Sequence, residues 1–375
     1  MAQDKNKTTL ADSLVRPNIK QTKAYMSARS LTENSEEFTF LDAAESHVSP
    51  FDPDTDLKQT GILDNLNSYP DQQPEMLAQK LAQIYKTSAQ NILITRGSEE
   101  AIRLVMQSFC VPSKDCMITC PPTFALYAVE CSIQDIKNIQ ILRTGKDYKR
   151  LDLAAIEKSL ITKAPKIVMI CNPGNPSSTQ IHQDDIAALV ALCRDRALLV
   201  IDEAYIEYSD QPSCTPLIGD NDHIIVLRTL SKSYGLAGLR CGSIIASPSV
   251  LNYVRRVIAP YPVGRQTYGI ALLALSNERL KLMHEHRKYI AAERARIQSA
   301  LKNAGSENTS CVQHLFPSAA NFMAIKVKDP VKTVSLFKKH GLIIRDRSAA
   351  IPNCVNIAIT DKATNDKIIS LLTKN

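Results

Sequence analysis

The chain reads as an α/β protein: a mostly parallel sheet between helices, joined to a smaller α+β unit. Three observations predict this. From about residue 74, short near-continuous apolar runs alternate with segments of helical spacing, the pattern of strands buried on both faces. After Pro262 the character changes to a long charged helical stretch followed by mixed strands and helices. The length of 375 residues exceeds what one simple core holds. We therefore expect a large unit over residues 49–262, and a small one built from residues 263–375 and an N-terminal arm, residues 1–48.

The elements follow in order. Pro74 to Tyr85 has helical spacing, with Leu77, Leu81 and Ile84 on one face. Asn91–Thr95 (NILIT) is a buried-strand pattern, and Ser98–Cys110 returns to a helix with Ile102, Val105, Met106 and Phe109 as its stripe. Lys166–Cys171 (KIVMIC) predicts a strand, Asp184–Arg194 a helix, and Leu198–Asp202 (LLVID) a strand. Ile224–Leu227 and Gly242–Ala246 complete the strands of the large unit. Beyond Pro262 we expect a helix over Arg279–Asn303, a strand at Phe322–Val327 and a helix at Val331–His340. Strands at Leu342–Arg345 and Val355–Ile359 then lead to a terminal helix.

Composition narrows the function. Hydrophobic content of 44% and charged content of 22% argue against disorder. The net charge of +7 is scattered rather than gathered into a basic run with aromatics, which speaks against nucleic acid. It suits small anionic ligands. No apolar stretch approaches the ~20 residues of a membrane helix, and MAQDKNKTTLADSLV lacks a secretory core. The ten cysteines include no CxxC and several lie in apolar strands, so they read as buried thiols of a cytoplasmic protein. His284 and His286, two apart on a helix, point to different faces, and no HExxH occurs; no metal site is expected.

In open parallel sheets, ligands sit beyond the carboxyl ends of the strands. NILIT ends in Arg96-Gly97-Ser98, KIVMIC in Asn172-Pro173-Gly174-Asn175-Pro176, LLVID in Asp202-Glu203-Ala204-Tyr205, and IIVL in Arg228-Thr229-Leu230-Ser231-Lys232. Singly, each has an ordinary explanation as a turn, a cap or a solvated lysine. Together they bring a Gly-Ser helix start, an amide, a carboxylate and a lysine to one rim. A Schiff-base lysine and a carboxylate on a pyridine nitrogen are what a protein contributes to pyridoxal 5′-phosphate (PLP) chemistry.

These residues resemble the aminotransferases of the aspartate-aminotransferase fold group, and within them the histidinol-phosphate branch. The resemblance spans nearly the whole chain. It is carried by Tyr69-Pro70, Gln73-Pro74, Arg96-Gly97, Cys120-Pro121-Pro122-Thr123, Asp202–Glu207 (DEAYIE), Arg228–Lys232 with Leu236–Gly242, and Val257–Pro262 (VIAPYP). It implies the PLP-dependent transferase fold and an enzyme of amino-acid biosynthesis that moves an amino group between an amine and 2-oxoglutarate. It implies that Lys232 joins the cofactor, that Asp202 pairs with its ring N–H, and that Tyr205 and Asn175 bond its phenolic oxygen. Phe124, where the family usually has Tyr, would stack on the ring. Gly97, Ser98, Glu99, Ser231 and Arg240 would hold the phosphate, Glu99 through its backbone with its carboxylate turned away. Tyr69 resembles a tyrosine lent to the neighbouring subunit, which implies a homodimer with shared sites.

On the substrate side, Tyr25 and Arg345 match residues that hold a substrate phosphate, and Arg347 is expected at the surface. Two departures stand out. Asn356 occupies the place of an arginine that grips a carboxylate or phosphate, and an amide cannot replace a guanidinium. Gly174-Asn175-Pro176-Ser177-Ser178 replaces the usual Asn-Asn-Pro-Thr-Gly, so glycine moves from after the turn to before it and backbone freedom should move with it. Asn356 keeps a second outcome open: a decarboxylase, racemase or oxidase on the same cofactor.

Overall fold

The apolar runs become strands whose alternate side chains feed two separate cores. The computed structural model describes residues 17–22, 32–51, 67–306 and 310–373. In chain order its strands are β1 (Thr39–Phe40), β2 (Ile92–Thr95), β3 (Cys116–Thr119), β4 (Lys137–Gln140), β5 (Ile167–Cys171), β6 (Leu198–Asp202) and β7 (Ile224–Thr229). These are followed by β8 (Gly242–Ala246), β9 (Val312–Leu315), β10 (Phe322–Val327), β11 (Leu342–Ile343), β12 (Arg345–Asp346) and β13 (Cys354–Ala358). The large sheet has the order β2-β8-β7-β6-β5-β3-β4. β8 runs antiparallel to both neighbours and the other pairs are parallel.

Along β5, Val168 and Ile170 enter the core on one face, while Ile167, Met169 and Cys171 enter the other. Leu199 and Ile201 of β6 alternate in the same way with Val200. A strand apolar on both faces is stable only between two helical layers. The helices Glu75–Tyr85 and Gln183–Cys193 pack on one side, and Gly97–Phe109 and Leu126–Gln134 on the other. Val263, Ala271, Ala274 and Leu275, beyond Pro262, belong to the first of these cores.

The smaller sheet, β12-β13-β10-β9, is antiparallel. One face packs Met323, Ile325, Val355 and Ile357 against the long helix Asn277–Ser306 and the helix Lys362–Thr373. The other face turns Phe322, Arg345 and Asn356 toward the large sheet, where they line a cleft.

Some details depart from the sequence reading. The short strands β1, β3, β4 and β9 are not among those expected. β3 is only four residues long, and β4 is a polar edge strand with no buried residue to create a pattern. The single strand expected over Leu342–Arg345 is two: β11 pairs with β1, and β12 pairs with β13. Hydropathy cannot register a change of partner.

Arg228 ties the layers together beneath the site. Its side chain is nearly buried and meets Glu207 at 2.6 Å and Glu203 at 3.5 Å, with Tyr85 lying 4.2 Å below the guanidinium. Glu203 also accepts from Ser213 and from the Cys214 N–H. Removing the cation leaves two buried carboxylates without it. Arg228→Met should therefore destabilise the fold by about 3–5 kcal/mol, read as a lower urea midpoint at unchanged slope.

Candidate active site

The cleft lies beyond the carboxyl ends of β5, β6 and β7, where the large sheet faces β10, β12 and β13. With its open mouth it encloses about 1040 Å³. The parallel register fixes its floor: Cys171 pairs with Asp202, and Asp202 with Leu227. The residues just past these positions are therefore neighbours.

One end is built to hold an anion. The helix Gly97–Phe109 starts without a side-chain cap, so its first N–H groups and positive dipole end face the cleft. Gly97 has φ +81°, and an added Cβ would lie 2.8 Å from the Arg240 guanidinium. Only glycine lets that cation lie against the helix start. Arg240 in turn donates to Ser231 Oγ at 3.3 Å and to the Ala237 carbonyl at 3.1 Å. Gly97, Ser98, Ser231 and Arg240 thus converge. Glu99 corrects the sequence reading. Its carboxylate does not turn away but meets Arg240 at 3.3 Å.

The middle is built for a flat ring. Asp202 is buried at 3% exposure, accepting from Tyr127 Oη at 2.7 Å and from the Ala204 N–H at 3.1 Å. Burial raises its pKa; the Tyr127 bond, the Ala204 bond and the Lys232 charge oppose the rise. Tyr205 accepts from Asn175 Nδ2 at 3.2 Å. Burial holds the Tyr205 phenol well above its ordinary range, with Arg347 and Asn175 working against that. Lys232 lies over the Tyr205 ring, 5.7 Å from its centre, and donates to the Ala43 carbonyl at 2.7 Å. Burial pulls its ammonium down to about 8, with Glu45 opposing and Arg240 assisting. Phe124 closes the other side, set edge to face against Tyr127 at 5.7 Å.

The far end carries Arg345, Arg347, Asn356 and Phe322. Arg347, expected at the surface, is half-buried and lines the cleft. Asn356 is 4% exposed, and its Oδ1 has no hydrogen-bond partner among the described residues. Tyr25 lies outside the described residues. Tyr69 does not line the cleft. It is 78% exposed and stacks on Tyr261 at 4.5 Å.

The loop after β5 also revises an expectation. The left-handed position stays after the turn, on Ser178 at φ +58°. Gly174 is needed for space: an added Cβ would lie 2.5 Å from Nη1 of the buried Arg143 and 2.6 Å from Ser177 Oγ. The sequence reading missed Tyr127 and the Ala43 carbonyl. A tyrosine inside an apolar helical run is a weak signal of a buried hydroxyl needing an acceptor; a carbonyl leaves none.

Among the described residues, no group of three or more His, Cys, Asp or Glu side chains could hold a metal ion. None of their helices is long and apolar enough to cross a membrane.

A lysine and a buried carboxylate facing a ring-sized gap, beside an anion seat, are the requirements of a PLP enzyme. Comparison with known proteins agrees: residues 42–372 match the family model of aminotransferases class I and II, and the chain belongs to that family. It is a PLP-dependent aminotransferase, similar to the histidinol-phosphate branch. It is 35% identical over 363 residues to the histidinol-phosphate aminotransferase of Buchnera aphidicola, covering 96% of this chain and 97% of that one. The Pectobacterium atrosepticum enzyme of the same name is 33% identical over the same shares. The fold matches the Sinorhizobium meliloti histidinol-phosphate aminotransferase, solved in complex with pyridoxal-5′-phosphate. The TM-score is 0.82 at 22% identity, with 96% of each chain covered.

Two measurements check these electrostatics. Tyr127→Phe removes a bond that holds the Asp202 pKa down. The carboxylate should then charge only at higher pH, moving the acid limb of the kcat/KM profile upward. In the cofactor-free protein, acylation of Lys232, read by peptide mass spectrometry, should rise with pH and level off above about 8.

Proposed function

We propose that the chain transfers the amino group of histidinol phosphate, or a closely related phosphorylated amine, to 2-oxoglutarate. The observation that carries this is the placement of Lys232 and Asp202 in one cleft with an anion seat at one end and Arg345 at the other. The curated relatives bearing the histidinol-phosphate name support the substrate class.

Bound PLP supplies an electron sink for charge that develops at the substrate α-carbon. Lys232 would anchor the cofactor, and its free amine would move a proton to and from that carbon. Its depressed pKa keeps a useful fraction of the amine neutral near pH 8. Asp202 holds the proton on the pyridine nitrogen; Tyr127 and Ala204 keep the carboxylate aimed. Asn175 and Tyr205 would bond the phenolic oxygen, and Phe124 would stack on the ring. Gly97, Ser98, Glu99 (through its backbone), Ser231 and Arg240 seat the phosphate, Glu99's carboxylate yielding its place at Arg240. Tyr25 and Arg345 hold the substrate's own phosphate. The exposure of Tyr69 fits a residue offered to a second copy, so we propose a homodimer with shared sites. Ten free thiols, nine of them buried, fit a cytoplasmic protein.

A second reading draws on Asn356: the same cleft could decarboxylate, racemise or oxidise its amine. A panel of amine donors, followed by the cofactor's visible band and by mass spectrometry of products, separates the two. Transamination requires a keto product and loss of the band with each competent donor. Carbon dioxide, racemised amino acid or hydrogen peroxide without amine transfer would favour the second reading. Lys232→Ala should fold normally and lose all turnover, and Asp202→Ala should lose most of its rate. Near-normal activity of Lys232→Ala would overturn the assignment.

A further inference from the structure

Transamination with 2-oxoglutarate needs a cation for the α-carboxylate of the amino-acid partner, and position 356 offers only an amide. The small sheet shows where the charge has gone. β12 and β13 pair Arg345 with Asn356 and Asp346 with Val355. The ladder runs one step further, since the Arg347 N–H donates to the Cys354 carbonyl at 2.8 Å. Residues 345, 347, 354 and 356 therefore share one face. Arg347 stands diagonal to Asn356, a separation that a long side chain crosses on a sheet surface. It reaches the cleft, and its charge is felt at the Tyr205 hydroxyl, the group bonded by Asn175.

We infer that Arg347 is a specificity-determining residue of this chain: from the neighbouring strand it supplies the cation that grips the α-carboxylate. Asn356 takes a different part. It is a buried, neutral amide among the residues that line the cleft. The site thus keeps a carboxylate grip but moves it toward the Tyr205–Asn175 side, and puts a neutral hydrogen-bonding group where a charge would otherwise stand. A guanidinium there orients a carboxylate through two parallel bonds, which an ammonium cannot reproduce.

This inference rests on the transamination reading, and the test separates the two. The probe is maleate, an unreactive dicarboxylate, titrated by calorimetry into the PLP-loaded enzyme. Arg347→Met should weaken maleate binding roughly ten- to a hundredfold. It should raise the KM for L-glutamate by a similar factor with a smaller change in kcat. The KM for histidinol phosphate, whose phosphate is assigned to Tyr25 and Arg345, should stay within about threefold, a change of under 1 kcal/mol. Arg347→Lys should fall between, and it keeps the test alive if the methionine variant does not fold. Adding Asn356→Arg to Arg347→Met should restore maleate binding. Maleate affinity within about twofold of the parent enzyme, or an equal loss for histidinol phosphate, overturns the inference. If the parent enzyme's band ignores glutamate altogether, the transamination reading fails, while the maleate titration still reports on Arg347.

Discussion

Burying a carboxylate at the end of a strand that is itself covered on both faces costs several kcal/mol unless the charge is met by donors, and Asp202 is that carboxylate. The structure meets it in two ways: a phenol from the helix Leu126–Gln134 and the N–H of Ala204. Much else follows from this one pair. Tyr127 must be buried to reach it, so the helix is held close to β5 and β6. Phe124, three residues earlier, is thereby set at the cleft edge. The parallel register then brings the segment after β7, with Lys232, to the same rim as the segment after β6. The lysine lies in the same low-dielectric space, which destabilises its ammonium. Two groups whose ordinary pKa values lie far apart are drawn toward each other by the same burial.

The anion seat answers a complementary demand. A helix start with uncapped N–H groups is unsatisfied, and a guanidinium lies beside it. Gly97 allows the two to converge, and Glu99 reaches Arg240 from the same helical turn. The seat therefore carries a carboxylate already. If the cofactor's phosphate takes this seat, as proposed, its affinity is a difference between two anions on one cation, not the full strength of either pair.

Much of this was legible in the sequence because backbone and chemistry coincide there. Strands buried on both faces write themselves as apolar runs, and the polar residues that end them mark the rim. Gly97, Asp202, Tyr205, Ser231, Lys232 and Arg240 all sit within a few residues of a strand end, and all line or abut the cleft. What was not legible depends on partners distant in the chain. Tyr127 acts across 75 positions. The Lys232 amine finds a carbonyl 189 residues away. Gly174 answers to a buried arginine in another loop. The split of Leu342–Arg345 between two sheets reflects competition for strand edges, to which hydropathy is blind. Arg347 looked like one more surface cation until the ladder at Cys354 fixed its face.

The substrate end shows why sheet register matters more than residue identity at any single position. A carboxylate responds to where the charge lies, and on a sheet a given point can be reached from a cross-strand neighbour as well as from the strand beneath it. An arginine can therefore leave position 356 without the charge leaving the cleft, provided that the adjacent strand holds another arginine on the same face. Here β12 and the residue that follows it place two, Arg345 and Arg347, two residues apart. The exchange is not neutral. The charge now sits within reach of Tyr205, where it also favours the ionised phenol, and position 356 holds a buried neutral amide. In the proposed arrangement such a site would still recognise an anion, with the charge displaced to the Tyr205 side of the cleft.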